Sequence, residues 1–310
     1  MDIRQLQYFI EIVEQGSFTR ASRSLNIAQP ALSLHLRNME NALGTRLLVR
    51  SHAGVVPTEA GALLARRARS ILDDLARTED DIRTLDGNPQ GVVRVGLPGT
   101  ISAILGLPLI TAARERYPGI VLNISEAMSG FIADWMSEGR IDIAVLYSAS
   151  QERGNVSQRL LEEELAVIWQ GDSDCPSEMS LEGLRDTPMV LPSSAHGLRI
   201  QLNEAMRPLG ISPNVAVEID SYANIKSLVA AGFGASILPY HAVQQEVSKG
   251  TLAVSRIADP GLWRGVHLTY PANRPVARAQ QVVLGLLREV IFELHASGDW
   301  AAVRLPKTDD

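Results

Sequence analysis

Gln29, Ser33 and Arg37 follow one another at steps of four, which sets three hydrogen-bonding side chains on one face of a helix. Their chemistry suits nucleic acid. Gln bonds adenine through two atoms, Ser reaches a base edge or a phosphate, and Arg takes guanine or phosphate. The opposite face carries Leu32, Leu36, Met39 and Leu43 at steps of four, three and four, an apolar stripe that belongs in a core. Pro30 fits only a first helical turn, where its missing N–H would have had no partner. The helix therefore begins near Gln29, and its exposed end presents Gln29, Pro30 and Ser33. An ordinary helical hairpin would explain the leucines, but not a polar outer face opened by proline.

Residues for catalysis do not assemble in the sequence. No nucleophile elbow, phosphate-binding loop or metal-ligand pair is found, and Gly96-Leu97-Pro98-Gly99-Thr100 is too short for a dinucleotide fingerprint and lacks its third glycine. His196, His241 and His267 have no evident sequence partners. Cys175, the single cysteine, allows no internal disulfide and reads as a bystander thiol. No enzyme activity, metal or cofactor is expected. An enzyme built on α/β lobes, and a solute sensor without DNA activity, remain the rival readings.

The elements that must hold the polar helix are legible around it. Ser17 can cap a helix from about Phe18 to Leu25, and Asn26-Ile27-Ala28 is a tight turn into the next. Two helices so joined are a helix-turn-helix, whose second member enters the major groove by its N-terminal residues. A preceding helix, Ile3 to Gln15, offers Leu6, Phe9, Ile10 and Val13 as scaffold and ends at Gly16. Leu47 to Arg50 and Val55-Val56 read as two short strands about Gly54, a β-wing, after which Thr58 caps a further helix. That helix runs to about residue 86. Along it Leu64, Ala68, Ile71, Leu75, Thr78, Ile82 and Leu85 form a heptad-like seam with charged flanks, as in a dimer coiled coil.

Net charge is −6 over 310 residues, which argues against nucleic acid until its distribution is considered. Arg4, Arg20, Arg23, Arg37, Arg46 and Arg50 outnumber Asp2, Glu11, Glu14 and Glu40 in the first 58 residues, and the acidity lies beyond. The excess of base is thin for phosphate neutralisation, so one copy should bind weakly and assembly is implied. Hydrophobic content of 45% and charged content of 21% fit a folded soluble chain. With no apolar run of membrane-spanning length and no signal-peptide pattern, a cytoplasmic protein with no membrane partner is expected.

After Asp86-Gly87-Asn88-Pro89 the pattern changes to strand-like runs alternating with helical periods, the signature of parallel α/β structure. Strands are expected at Val92–Leu97, Ile120–Ile124, Ile141–Tyr147, Ala166–Trp169, Met189–Leu191, Val215–Ile219, Ala235–Leu238 and Val266–Tyr270. Helices are expected at Ser102–Tyr117, Ser129–Glu138, Leu198–Leu209, Tyr222–Ala231 and from Val276 to about His295. Two lobes of this kind enclose a cleft at the carboxyl ends of their strands. Loops that open helices there favour anions: Pro98 to Ser102, Met128 to Gly130 and Ser193 to Arg199. Thr100 and Ser129 can equally be helix caps, and His196 and Arg199 are either solvent-facing loop residues or ligand contacts.

The N-terminal stretch resembles the LysR-type transcriptional regulators. The match rests on Leu6-Gln7-Tyr8-Phe9, Gly16-Ser17-Phe18, Ala21, Leu25, Ala28-Gln29-Pro30-Ala31-Leu32-Ser33, Glu40, Leu43-Gly44, Leu47-Leu48-Val49-Arg50 and Pro57-Thr58-Glu59-Ala60-Gly61. Softer motifs follow in family order: Val93-Arg94-Val95-Gly96, Tyr117-Pro118, Gly139 to Ala144 and Gly232 to Pro239. The resemblance implies an α+β multidomain protein: a winged helix-turn-helix over 1–58, a linker and dimerisation helix over 59–88, and over 89–310 a two-lobed effector domain like the type II periplasmic binding proteins. Lobe 1 is expected at about 91–161 and 268–300, and lobe 2 at about 162–267.

It implies a ligand-responsive, sequence-specific regulator, a homotetramer built as a dimer of dimers, that answers an organic acid or other anionic metabolite. Double-stranded operator DNA, the effector, further copies of the chain and RNA polymerase are its candidate partners. Expected DNA contacts are Gln29, Pro30, Ser33, Leu34, Arg37, Arg50 and His52. Expected effector contacts are Thr100, Ser102, Ser129, His196 and Arg199, and expected dimer contacts are Leu64, Ala68, Ile71, Leu75 and Ile82. Three departures from the family pattern bear on the operator. Ala28 stands where Ser or Thr often caps, Leu34 where a polar residue is common, and Ser51-His52-Ala53 where the wing is often basic.

Overall fold

The computed structural model describes residues 1–51, 54–83, 88–150, 152, 154–272 and 276–306. Contacts divide the chain into two compact units, residues 1–91 with 134–141, and residues 92–133 with 142–310. The first opens with α1 (Ile3–Gln15), α2 (Phe18–Ser24) and α3 (Gln29–Leu43). Asp2 and Gln5 form a reciprocal cap on α1, Ser17 Oγ accepts the Arg20 amide at 3.4 Å on α2, and α3 begins at Ala28 with no side-chain cap. Leu6, Phe9, Ile12, Ala21, Leu32, Leu36 and Met39 close a small core between the helices.

The hairpin β1 (Leu48–Ser51) and β2 (Gly54–Pro57) leads into α4 (Glu59–Arg83). Glu40 of α3 ties the hairpin down, its carboxylate accepting the Leu47 amide at 2.8 Å and the Leu48 amide at 3.3 Å. Thr58 Oγ1 donates to the Arg46 carbonyl at 2.7 Å and accepts the Gly61 amide at 3.1 Å, capping α4. Gly61 is required by contact: a Cβ there would stand 1.9 Å from the Leu47 carbonyl oxygen. Gly54 meets a similar limit, 2.5 Å from the Gly16 carbonyl oxygen, at a φ of +118°.

The heptad reading of α4 needs correction at its start. Ala68 is fully buried in the chain's own helical core, with Leu64 packed against it. The first turns of α4 are thus committed to α1. Leu63, Ile71, Leu75 and Ile82 stay exposed, and Leu85 lies outside the described residues.

The second unit is built on one nine-stranded sheet. It begins β3 (Gly91–Leu97), α5 (Gly99–Arg116), β4 (Ile120–Glu126), α6 (Ser129–Ser137), of which the residues from 134 on group with the first unit, and β5 (Ile143–Leu146). Then come the long β6 (Asn155–Gln170), β7 (Glu178–Met179), β8 (Pro188–Leu191), α7 (Gly197–Met206), β9 (Asn214–Glu218) and α8 (Tyr222–Ala230). It finishes with β10 (Ser236–Pro239), a 3-10 turn (Tyr240–Ala242), α9 (Gln244–Ser248), β11 (Leu252–Ile257), β12 (Leu262–Pro271), α10 (Arg278–Ser297) and β13 (Val303–Arg304). The sheet order is β4-β3-β5-β12-β6-β11-β7, with β10 and β13 also on β6; β8 and β9 pair apart.

Two apolar cores share this sheet. One gathers Val93, Val95 and Leu97, the inner face of α5, Leu160, Leu161, Val266, Leu268 and the buried side of α10. The other gathers Leu165 to Ile168, Met189 to Leu191, Leu198, Leu202, Ile225, Ile237, Leu252 and Leu262. β6 and β12 run antiparallel through both, so the short strands expected at Ala166–Trp169 and Val266–Tyr270 are the visible parts of two long crossing strands. The sheet is mixed and not wholly parallel: β3 and β5 are parallel, but β12 is antiparallel to β5 and β6. β7, β11 and β13 had no sequence signal strong enough to stand out, and α5 starts at Gly99, ahead of the expected Ser102.

Candidate DNA-reading surface and interlobe site

On α3 Leu32, Leu36 and Met39 face the core, whereas Leu43, expected with them, is exposed at the last turn; Gln29, Pro30, Leu34 and Arg37 are exposed, with Ser33 half-buried. The first-turn amides of α3 have no side-chain cap, which leaves that end suited to a phosphate oxygen. Arg50 pairs in register with Val55 across the hairpin, and His52 lies outside the described residues.

A second assembly sits where β6 and β12 pass from one core to the other. Glu162, Glu163 and Glu164 are consecutive, in register with Gly265, Arg264 and Trp263. All three glutamates are buried. Strand alternation sends Glu162 and Glu164 to one face and Glu163 to the other. On the first face Arg304 Nε donates to Glu162 at 2.6 Å, joined by Arg159, and Arg256 Nε donates to Glu164 at 2.9 Å.

The other face is closed. Arg264 Nε donates to Glu163 Oε1 at 2.8 Å and Nη2 donates to the same oxygen; the two side chains are 3% and 0% exposed. The guanidinium lies 3.3 Å from the centre of the Tyr147 ring, whose hydroxyl hydrogen-bonds Thr100 Oγ1. His241 Nε2 meets the Thr100 carbonyl at 3.3 Å, its Nδ1 stands 3.5 Å from Glu163 Oε2, and its ring meets Trp300 edge-on at 5.6 Å. His196, capping α7 through Nδ1, meets the Tyr222 ring edge-on at 5.7 Å. The Tyr222 hydroxyl feels the charge of Arg264 but makes no well-aligned hydrogen bond. Tyr222 Oη, Glu163 Oε2, His241 Nδ1 and Trp300 Nε1 are buried with no hydrogen-bond partner among the described residues.

Electrostatics follows from burial and from this one ion pair. Burial opposes the charge on Arg264, yet Glu163 and the Tyr147 and Tyr222 hydroxyls outweigh it and hold its pKa above the ordinary value. Burial raises Tyr147 well above the ordinary tyrosine range, against the pull of Arg264, and it raises Tyr222 likewise. His241 is pushed down by burial, against Glu163, and His196 by burial and then by Arg264. The site is therefore a buried Arg264–Glu163 ion pair surrounded by Tyr147, Tyr222, Thr100, His196, His241 and Trp300.

Of the expected effector contacts, Thr100 and His196 belong to this assembly. Ser102 and Ser129 are half-buried in the first turns of α5 and α6. Arg199 Nε donates to Asn203 Oδ1 at 3.1 Å and its Nη1 lies 3.9 Å from Glu218, contacts with α7 and β9. Sequence reasoning missed Tyr147, Glu163, Tyr222, Arg264 and Trp300 and left His241 without a partner. The available signal was a run of glutamates between Leu160-Leu161 and Leu165 to Ile168, because carboxylates amid strand-forming apolar residues demand cations.

A winged helix-turn-helix followed by a two-lobed α/β domain with a polar interlobe site defines a ligand-responsive transcription regulator. Residues 3–62 match the bacterial regulatory helix-turn-helix proteins of the lysR family, and residues 86–291 match the LysR substrate binding domain. The chain belongs to the LysR family of DNA-binding regulators. It is 32% identical to the nitrogen assimilation regulatory protein nac of Escherichia coli strain K12, over 94% of this chain and 95% of that one. It is 28% identical to a probable hydrogen peroxide-inducible genes activator of Streptomyces viridosporus, over 94% and 95%. A full-length OxyR variant from Pseudomonas aeruginosa shares the fold with a TM-score of 0.77 at 22% identity, covering 100% of this chain and 99% of that one. CbnR shares it with a TM-score of 0.65 at 21% identity, over 94% and 99%.

Proposed function

We propose that this regulator responds to a small anionic metabolite, an organic acid first among them, held between the lobes at Arg264. The observation that carries the reading is a guanidinium 3% exposed, ringed by polar atoms that lack partners. A buried cation with two unused donors in its site, the Tyr222 hydroxyl and the Trp300 indole N–H, favours an oxyanion over a neutral or basic ligand. Thr100 and His196 are the flanking contacts in this reading, and Ser102, Ser129 and Arg199 are its further candidate contacts.

Gln29, Ser33 and Arg37 read base edges, Pro30 and Leu34 touch sugar or a thymine methyl, and Arg50 and His52 of the wing anchor phosphates. The exposed face of α4 pairs two copies, two pairs form the tetramer, and RNA polymerase is the partner at the promoter. Ligand binding favours one lobe or subunit arrangement over another and so resets the spacing of the half-sites.

Mobility shifts on the protein's own promoter region test the reading head. Gln29→Ala and Arg37→Ala should each lose about 1–3 kcal/mol of discrimination against unrelated DNA while keeping the wild-type thermal response to carboxylates. Unchanged selectivity in both variants would remove α3 as the reader. A panel of organic acids that leaves the melting temperature of the wild type untouched would remove the anionic effector.

A further inference from the structure

Two hydrogen-bond acceptors confront each other inside the interlobe site. His241 Nε2 faces the Thr100 carbonyl at 3.3 Å, so its hydrogen belongs on that nitrogen and Nδ1 presents a lone pair. Glu163 Oε2 lies 3.5 Å from that lone pair, and neither atom has a hydrogen-bond partner among the described residues. One proton on Nδ1 would satisfy both.

Charge determines when that proton can enter. Arg264 and Glu163 sum to zero as the site stands, and a proton alone would leave a buried positive charge. A carboxylate alone, entering beside Glu163, would leave a buried negative one. Carboxylate and proton together restore zero, and single unpaired charges at this depth are strongly disfavoured.

We propose that Glu163 is a built-in occupant of the Arg264 anion slot, and that an incoming monocarboxylate takes its place only together with one proton, which enters the Glu163–His241 pair. The proposal rests on the reading that this site takes an anion, and it adds how the slot is held and released. Before the exchange, Arg264 Nε and Nη2 donate to Glu163 Oε1. Afterwards they donate to the ligand carboxylate, while the imidazolium donates from Nδ1 to Glu163 and from Nε2 to the Thr100 carbonyl. No covalent bond changes, and the proton comes from solvent.

The surroundings of His241 support this order. Glu163 on β6 and Arg264 on β12 are the charged groups. Tyr147 after β5, Tyr222 on α8, His196 at the N-cap of α7, the Thr100 carbonyl on α5 and Trp300 beyond α10 complete the site as neutral groups. Burial holds His241 below its ordinary value despite Glu163, so the pair stays empty of the proton until a further anion arrives.

Acetate is the test probe, because it restores the carboxylate that Glu163→Ala deletes. Thermal shifts of the full-length protein are titrated with sodium acetate against sodium chloride of equal ionic strength, from pH 6 to pH 8. In the wild type the apparent acetate affinity should rise by about tenfold for each unit of falling pH, the mark of one linked proton. In Glu163→Ala acetate should bind with less than about a twofold change across the range. A wild-type affinity indifferent to pH, or no wild-type response at pH 6, overturns the exchange. Acetate stabilisation of Glu163→Ala would then show that the anion slot itself survives, and its absence would remove the slot too. Should Glu163→Ala fail to fold, carbon-13 spectra of histidine-labelled wild type decide. The Cε1 resonance missing from His241→Gln must move to its protonated position when acetate is added at pH 7, and a resonance that stays overturns the proposal.

Discussion

Arg264 is a cation shut away from solvent, and its neighbours titrate accordingly. His196, His241 and His267 are each held below the ordinary histidine value, first by burial, and then by Arg264 for His196 and Arg159 for His267. Between that ordinary value, near 6.5, and the lowered native values, the unfolded chain binds more protons than the folded one. Stability is therefore whole above about pH 6.5 and drains as the pH falls further. The urea midpoint of the second unit should be lower at pH 5.5 than at pH 7.5, and His241→Gln should shrink the difference. Removing one partner of the central pair is more severe. Arg264→Ala should cost about 3–5 kcal/mol in urea unfolding, whereas Arg264→Met with Glu163→Gln together should recover most of that loss.

At the scale of elements, legibility in the sequence tracked locality. The start of α3 at Gln29 and the missing cap at Ala28 were both readable, because proline chemistry and capping act within a few residues. β6 was not. Its sequence Asn155 to Gln170 interrupts two apolar runs with Glu162-Glu163-Glu164, and the cations that make this burial possible come from Arg159, Arg256, Arg264 and Arg304. The same reason hid most of the interlobe site, assembled from positions as distant as Thr100 and Trp300. The first turn of α4, where it meets the residue that leads into the hairpin, shows the opposite case, a motif glycine with a measurable cause. Gly61→Ala must push its new methyl against the Leu47 carbonyl, 1.9 Å away, and should cost about 1–3 kcal/mol. Calorimetry should record a lower first transition for the N-terminal unit; an unchanged one would show that α4 can retreat from the hairpin.

At the scale of the whole molecule, the excess of arginine over residues 1–58, six against four acids, is thin for phosphate neutralisation and argues for a second copy in useful DNA affinity. Ile71, Leu75 and Ile82 of α4 are 46%, 39% and 64% exposed, an apolar row that suits pairing. Replacing Leu75 with Arg should lower the sedimentation mass and weaken promoter binding by about tenfold or more, in line with the avidity of linked sites. An unchanged mass would put the dimer contact elsewhere. Among the described residues no helix is long and apolar enough to cross a membrane.

The nesting of the two cores has a consequence for synthesis. The core that includes Leu165 and Leu262 is contained within one uninterrupted stretch of chain. The other needs Val93 to Leu97 early and Ala279 to Trp300 late. As the ribosome releases the chain from its N-terminus, the inner core has all its parts while the outer one still waits for α10. Arg264 thus emerges before Trp300, so the interlobe ion pair can form ahead of the indole that packs against His241.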